Sequence, residues 1–165
     1  MSGRWIAAVA LMVGLMFLGG CAAMAKGGEK GGKLVSEGVS LFAFNYTGRY
    51  IGDIRVNGMW LGGAGAHSNS GSAAGLLAPR DRSKRHSVKV TWVVADVYDI
   101  STNKYQRRPD EPHEAMVELA FPYPEHPSEL ILHFFPDGHV EAELIQGMAN
   151  VWKARRIQPP EGYKR

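Results

Sequence analysis

The chain has 165 residues, with 19 lysines and arginines, 16 aspartates and glutamates, and one cysteine. A single cysteine excludes a disulfide framework and a cluster of thiolate ligands around a metal. Removal of an N-terminal segment with Arg4 would leave 18 basic residues against 16 acidic ones, and this near neutrality gives no argument for nucleic acid as a partner.

The N-terminus has the pattern of a secretory signal peptide. Arg4 precedes an apolar run from Ile6 to Leu18, which is shorter than the about 20 residues that a membrane-spanning helix needs. The junction that follows is Leu18, Gly19, Gly20 and Cys21. It resembles the lipobox of bacterial lipoproteins, which implies cleavage after residue 20 and acylation of Cys21. In the alternative interpretation, residues 1–20 are an ordinary signal peptide and Cys21 stands there by chance.

An acylated Cys21 makes the lipid bilayer the first expected partner, because each buried CH₂ group contributes roughly 0.8 kcal/mol. Ala22 follows the cysteine, and by the same resemblance it favours the outer membrane, facing the periplasm, over the inner one. Residues 21–33, rich in glycine and lysine, are expected to be a flexible tether.

Lipidation can be tested directly at the cysteine. Cys21→Ser removes the thiolate nucleophile, and we expect it to abolish acylation and membrane retention, as globomycin treatment should. Fractionation of cells after labelling with a fatty acid measures both effects. A Cys21→Ser protein that still fractionates with membranes would contradict the prediction.

From residue 34 onward the apolar residues alternate with a period of two, which predicts β-strands. The clearest runs are residues 39–44, 88–95 and 114–121. The last of these has one apolar face and one face with two glutamates, so one side of it should be in water.

The segment 45–63, NYTGRYIGDIRVNGMWLGG, reads as two strands joined by a tight turn. A turn is expected near Thr47-Gly48-Arg49, then a strand over 50–56, then a hairpin turn at Asn57-Gly58, because both turn residues tolerate positive φ. Trp60 is expected to pack back across this hairpin, and the aromatic residues are interpreted first as core.

The segment 129–145 predicts a second hairpin, with Asp137-Gly138 as a two-residue loop. That loop would pair Phe135 with Val140 and His133 with Ala142. One face would then carry residues 131, 133, 135, 140, 142 and 144. The first strand is apolar on both faces and should be central, whereas the second should lie closer to an edge. His133 is expected to be a core histidine bonded to a backbone group.

Polar segments lie between these strands. Residues 62–75 predict a long mobile loop, residues 101–114 and 122–129 predict further loops, and residues 148–156 suggest one short helix. Together the patterns predict a mainly β, single antiparallel sandwich-like domain over 34–157, with at most a short C-terminal helix and a tail at 158–165.

The sequence has no G-x-S-x-G or H-E-x-x-H pattern. Asp110, Glu111, His113 and Glu114, with His126 in a neighbouring loop, offer ligand atoms for a metal, but their spacing matches no known ligand pattern. A solvated loop explains them better. We therefore expect a binding protein rather than an enzyme, without a metal or cofactor.

The concentrated charge run is RDRSKRH at 80–86. It is either an electrostatic patch for an acidic partner or anionic lipid, or a solvated loop. Basic residues near the C-terminus would enlarge such a patch: Lys153, Arg155, Arg156, Lys164 and Arg165.

Over residues 38–145 the chain resembles DUF3304, a family of small bacterial lipoproteins. The resemblance rests on a lipobox, the NYT…YI…W-GG segment, a Gly-rich stretch, LLAPR, VKVTW and the hairpin LHFFPDGHV. The main matching positions, expected to be structural, are Asn45, Tyr46, Tyr50, Asn57, Gly58, Trp60, Gly62, Gly63, Pro79, Arg80, Trp92, Pro136 and Gly138. The chain departs from the family pattern by lacking a Cys pair, where it has Ala73-Ala74, by Gly48 in place of an aspartate, and by lacking a tryptophan after Pro79-Arg80.

Some members of the family look like immunity proteins of type VI secretion phospholipase effectors. The resemblance therefore implies a periplasmic protein that binds and inhibits a lipase-type effector; the alternative is an envelope scaffold of unknown partner. Aromatic and arginine residues on loops are the expected contacts. The candidates are Tyr50, Trp60, Arg80, Arg82, Arg85 and Tyr105.

Overall fold

The computed structural model describes residues 38–164. The predicted signal peptide, lipobox, Cys21 and tether lie outside these residues. The strands are β1 Gly38–Asn45, β2 Arg49–Val56, β3 Met59–Ala64, β4 Ala73–Leu77, β5 Ser87–Asp99, β6 Lys104–Gln106, β7 Glu111–Glu118, β8 Glu129–Phe134 and β9 Val140–Ile145. Two short 3-10 helices follow at Met148–Asn150 and Trp152–Ala154.

The strands form two sheets, as the alternating patterns predicted. The first sheet has the order β4-β1-β8-β9, and the second has β3-β2-β5-β6 with β7 also paired to β5. The mainly β, sandwich-like fold is thus confirmed. One strand pair departs from the antiparallel expectation, since β1 and β8 run parallel, with Leu41 opposite Leu130. In the described part of the chain, no helix is long and apolar enough to cross a membrane.

The main core lies between the two sheets. Each sheet contributes every second residue of its strands to the core. Examples are Val39, Leu41, Ile51, Ile54, Val90, Trp92, Leu130 and Leu132. Full burial of one such aliphatic side chain contributes about 1.5–3 kcal/mol, so this layer is the main source of stability.

A second apolar cluster covers the outer face of the first sheet. Phe42, Phe44 and Ile131 lie on that face and pack with Tyr46 and Val151. The segment with the two 3-10 helices therefore closes the sheet from outside. Burial on both faces explains why β1 and β8 are apolar at nearly every position.

The hairpin of β8 and β9 differs from the predicted one by a single residue. Phe134, not Phe135, is opposite Val140, and Leu132 is opposite Ala142. The reason is Pro136: in a two-residue loop its N–H would have to donate to the facing strand, and proline has none. The loop opens instead to residues 136–138, closed by a hydrogen bond of 3.1 Å from the Phe135 N–H to the His139 carbonyl.

This shift reverses the predicted faces of β8, because side chains alternate along a strand. Leu132 and Phe134 belong to the core between the sheets, whereas Ile131 and His133 face the outer cluster. The predicted positions of the strands are confirmed: β8 lies inside its sheet with all six residues buried, and β9 lies at the edge.

The hairpin of β2 and β3 turns at Asn57-Gly58 as predicted. Both residues have positive φ, 49° and 84°, which is the conformation of a tight hairpin turn. In addition, the Asn57 side-chain oxygen accepts a hydrogen bond of 2.9 Å from the Lys89 N–H. This contact ties the turn to the neighbouring strand β5.

The predicted loop over 62–75 is shorter than expected and covers residues 65–72. Its ends belong to β3 and β4, and Ser70 between them is buried. The Ser70 hydroxyl accepts a hydrogen bond of 2.9 Å from the Ala43 N–H, and the Ser70 N–H donates to the Ala43 carbonyl at 2.9 Å. These bonds hold the segment along β1. Strand β6 and the start of β7 likewise occupy part of the predicted loop at 101–114.

Candidate functional site

Asn45, the first residue of the sequence segment that carries the resemblance, is a buried structural hub. Its side-chain nitrogen contacts three backbone carbonyls, those of Arg49 at 2.7 Å, Ala64 at 3.1 Å and Gly65 at 3.0 Å. Its side-chain oxygen accepts the Thr47 N–H at 2.9 Å. One amide thus joins the end of β1 to the start of β2 and the end of β3.

Tyr46, His133 and Glu143 form a buried chain of hydrogen bonds. The Tyr46 hydroxyl lies 2.7 Å from Nδ1 of His133, and Nε2 lies 2.8 Å from the Glu143 carboxylate. Because a carboxylate only accepts, Nε2 carries the proton and Nδ1 accepts from the tyrosine. The Arg156 N–H donates to the tyrosine oxygen at 3.0 Å. The prediction that His133 bonds to a backbone group is therefore wrong, since both its partners are side chains.

A hydroxyl, an imidazole and a carboxylate in series resemble the composition of a nucleophilic triad. Here the tyrosine is 3% and the histidine 0% exposed, and the tyrosine hydroxyl and both imidazole nitrogens are already paired. Burial lowers the pKa of His133 and raises the pKa of Tyr46. With neither reacting atom accessible to a substrate, the arrangement is suited to holding the fold together.

Two arginines of the C-terminal segment contribute to the same region. The Arg155 guanidinium lies over the Phe44 ring, 5.5 Å from its centroid, and donates to the His67 carbonyl at 2.8 Å. Arg156 pairs with Glu141 and Glu143. These two residues attach the C-terminal segment to the first sheet. Two members of the predicted joint basic patch are therefore occupied by internal contacts.

Three aromatic side chains are exposed on the outer face of the second sheet. We call Tyr50, Trp60 and Tyr105 the aromatic face; their exposed fractions are 38%, 57% and 43%. The interpretation of the aromatics in 45–63 as core is thus confirmed for Tyr46, which is buried, and wrong for Tyr50 and Trp60.

Glycines explain why two of these rings lie outside. A Cβ added at Gly63 would overlap the Tyr50 hydroxyl, and one at Gly52 would lie 3.0 Å from the Tyr50 ring. A Cβ at Gly62 would lie 3.8 Å from the Trp60 ring. The Tyr50 ring therefore packs directly on the backbone of Gly52 and Gly63, and the Trp60 ring lies near Gly62 beside a bulge in the pairing of β2 with β3. The glycines of this segment leave room for the exposed aromatic side chains to pack against the backbone.

Tyr105 completes the aromatic face. Its ring packs edge to face against Tyr50, with centroids 6.4 Å apart, and against Tyr98 at 5.2 Å. Its hydroxyl accepts the Ala66 N–H at 2.8 Å. The ring is thereby held in place, so that the surface is ordered before any partner arrives.

The three arginines predicted to contact a partner do not belong to the aromatic face. Arg80, Arg82 and Arg85 lie in the loop before Ser87, where β5 begins, whereas Tyr105 pairs with Tyr98 near the end of β5. The two ends of the strand are about 35 Å apart at ~3.3 Å per residue. Arg85 is engaged by Glu118 and lies over the Phe121 ring. Tyr105 and these arginines therefore lie toward opposite ends of β5.

The cluster considered for a metal is dispersed along β7. Glu111 pairs with Arg49 at 2.9 Å, Glu114 pairs with Lys89 at 2.8 Å, and His113 stacks on Trp92 with centroids 5.4 Å apart. Within residues 38–164, no group of three histidine, cysteine or acidic side chains could hold a metal ion. Each of these side chains has a separate structural contact.

A cleft of about 300 Å³ opens between the two sheets. We call it the between-sheet cleft. It is lined by Thr47, Gly48, Arg49, Ile51, Trp92, Val94, His113, Phe134, Phe135, Pro136, Gly138 and His139. Aromatic rings form much of its wall, and the polar side chains are one arginine, one threonine and two histidines. Because these residues come from four strands and two turns, no local sequence signal indicated the cleft.

The fold and these surfaces define a small β-sandwich domain with exposed aromatic side chains on one sheet and a cleft between the sheets. The chain belongs to the DUF3304 family, described as a protein of unknown function, whose profile matches residues 44–142. Comparison with the curated proteins and with the solved structures gives no match.

Proposed function

We propose that this protein is a lipid-anchored protein of the bacterial cell envelope that acts by binding another protein. The observation that carries the proposal is the aromatic face. Tyrosine and tryptophan dominate the energy of many protein interfaces because they bury a large area with few rotatable bonds. Trp60 exposes 57% of its surface and its ring lies near Gly62, so its burial by a partner would cost little side-chain conformational entropy.

The partner that we propose is a phospholipase effector of type VI secretion, which the protein would inhibit. Support comes from the resemblance to immunity-like members of the family and from the lipobox at Cys21, an anchor that would hold the protein where such an effector arrives. An inhibitory complex typically buries about 1,600 Å² in total. The exposed face of β2, β3 and β6 around the three rings offers a platform for such a contact.

Trp60→Ala tests the surface. We expect binding to any phospholipase effector found encoded beside this gene to weaken on the order of 30-fold, as at an interface hot spot, with thermal unfolding nearly unchanged because the ring is exposed. Leu77→Ala is the matched control, since Leu77 is 60% exposed but belongs to the other sheet. Calorimetric titration and a thermal melt of each variant provide the two measurements.

Co-expression tests the inhibitory function. Periplasmic expression of the neighbouring phospholipase should be toxic, and the parent protein should relieve that toxicity while Trp60→Ala should not. If the parent protein neither binds nor neutralises the enzyme, the proposal of an inhibitor fails. Loss of secretion on deletion of the gene, without self-intoxication, would instead indicate the envelope scaffold.

A further inference from the structure

We propose that the between-sheet cleft binds a small monocarboxylic acid with an apolar body, with Arg49 recognising the carboxylate. This inference does not depend on the proposed function, since the aromatic face and the cleft have no lining residue in common. It rests on the position and bonding of Arg49, on the charge of the lining and on the size of the cleft.

Arg49 has a spare donor that the fold does not use. Its Nε donates to the Ala95 carbonyl at 2.8 Å, and its Nη1 donates to Glu111 at 2.9 Å. Its Nη2 is buried and has no hydrogen-bond partner among residues 38–164. The Arg49 side chain lines the cleft and keeps 26% of its surface exposed, so a ligand oxyanion can pair with its guanidinium in place of Glu111.

The lining of the cleft favours an anion over a cation. Arg49, His113 and His139 are its titratable side chains, and no carboxylate lines it. Two acidic side chains that do not line the cleft pair with these groups. Glu111 pairs with Arg49, and Asp137 accepts a hydrogen bond of 2.5 Å from His139. A ligand carboxylate would compete with Glu111 for the guanidinium, which gives the site a second residue by which it can be tested.

The walls favour an apolar body. Trp92, Phe134 and Phe135 line the cleft together with Ile51 and Val94. The volume of about 300 Å³ is roughly twice that of an engineered apolar cavity that binds benzene. An acid of about ten non-hydrogen atoms therefore fits, and octanoate is a suitable probe because it combines one carboxylate with a short alkyl chain.

The test is titration of ¹³C-carboxyl octanoate into the full chain in detergent, followed by NMR, with 1-octanol and acetate as probes that each lack one feature. Saturable octanoate binding is expected, with neither control probe binding comparably. Arg49→Gln should weaken octanoate binding at least tenfold and leave octanol unchanged. Partition into detergent is common to parent and variants, so their difference reports the cleft.

Glu111→Gln is the second test variant and serves if Arg49→Gln does not fold. Glu111 is 52% exposed, and its neutralisation should release Nη1 and tighten octanoate binding two- to fivefold. Equal binding of octanoate and octanol, no saturable binding by the parent protein, or octanoate binding that does not change in either variant would each overturn the inference.

Discussion

Asn45→Ala is expected to lower the free energy of unfolding by about 3 kcal/mol, because a buried polar group left without its partner costs about 1–3 kcal/mol. The substitution removes one amide that serves three carbonyls and one N–H. Alanine supplies neither the donor nor the acceptor. The melting temperature should fall by roughly 10 °C for a domain of this size.

Asn150→Ala is the matched control. Asn150 is exposed, and its amide contacts only the nearby Gln146 carbonyl and Lys153, so its loss should cost less than about 0.5 kcal/mol. Urea unfolding of parent and variants, followed by circular dichroism, measures both. Asn45→Asp separates donor from acceptor: it keeps the oxygen for Thr47 but turns a carboxylate oxygen toward three carbonyls, and it should be at least as damaging as alanine. Equal stability of the Asn45→Ala and Asn150→Ala proteins would contradict the assignment of Asn45 as a hub.

Much of the fold could be predicted from the sequence because the signals are local. Period-two alternation places the strands, and Asn57-Gly58 specifies its turn by the conformations that the two residues tolerate. The second hairpin shows the limit of that reasoning. Asp137-Gly138 is an equally good turn signal, but Pro136 beside it removes the N–H that a two-residue loop needs. One missing donor shifts the register by one residue and exchanges the two faces of β8.

The surfaces were harder to predict because they depend on contacts between distant residues. Tyr46 and Trp60 are aromatic residues in the same short segment, yet one is buried and the other exposed. The difference comes from what lies opposite each ring: a histidine of β8 beneath Tyr46, and glycine backbone beneath Trp60. No composition rule distinguishes these surroundings before the strand pairing is known.

The between-sheet cleft illustrates the same limit for binding. Arg49 and Glu111 are far apart in the sequence, and each looks like an ordinary surface charge in a polar segment. Only the pairing of β2 and β7 with β5 brings them together, with Arg49 opposite Val97 and Glu111 opposite Val94. That pairing leaves one guanidinium nitrogen buried without an acceptor in the described part of the chain. The predicted contact residues, by contrast, share only their residue types, and Tyr105 and the arginines among them lie toward opposite ends of β5.

The buried chain at His133 predicts that acid destabilises the protein from near neutral pH. Burial lowers the pKa of this histidine below its ordinary value of 6.5, since the imidazolium would lose its hydration. Glu143 opposes the shift, and Arg156 adds to it. Between the lowered pKa and 6.5, His133 therefore binds a proton in the unfolded chain but not in the folded chain. The contribution to stability is complete above pH 6.5 and is lost as the pH falls from there to the lowered pKa, at no more than about 1.4 kcal/mol per pH unit.

His133→Gln tests this sign, because glutamine can accept from Tyr46 and donate to Glu143 but does not titrate. The variant should be less stable at pH 7.5 by about 2 kcal/mol, from poorer geometry in a buried network, and its stability should fall less steeply between pH 6.5 and 5. Burial also lowers the pKa of His67 and raises that of Glu129. Both act equally in parent and variant, so the difference in slope isolates His133. His126→Gln, in an exposed loop, should leave the slope unchanged. If His133→Gln and the parent protein lose stability in parallel as the pH falls, the histidine is not the group that makes the buried chain sensitive to acid.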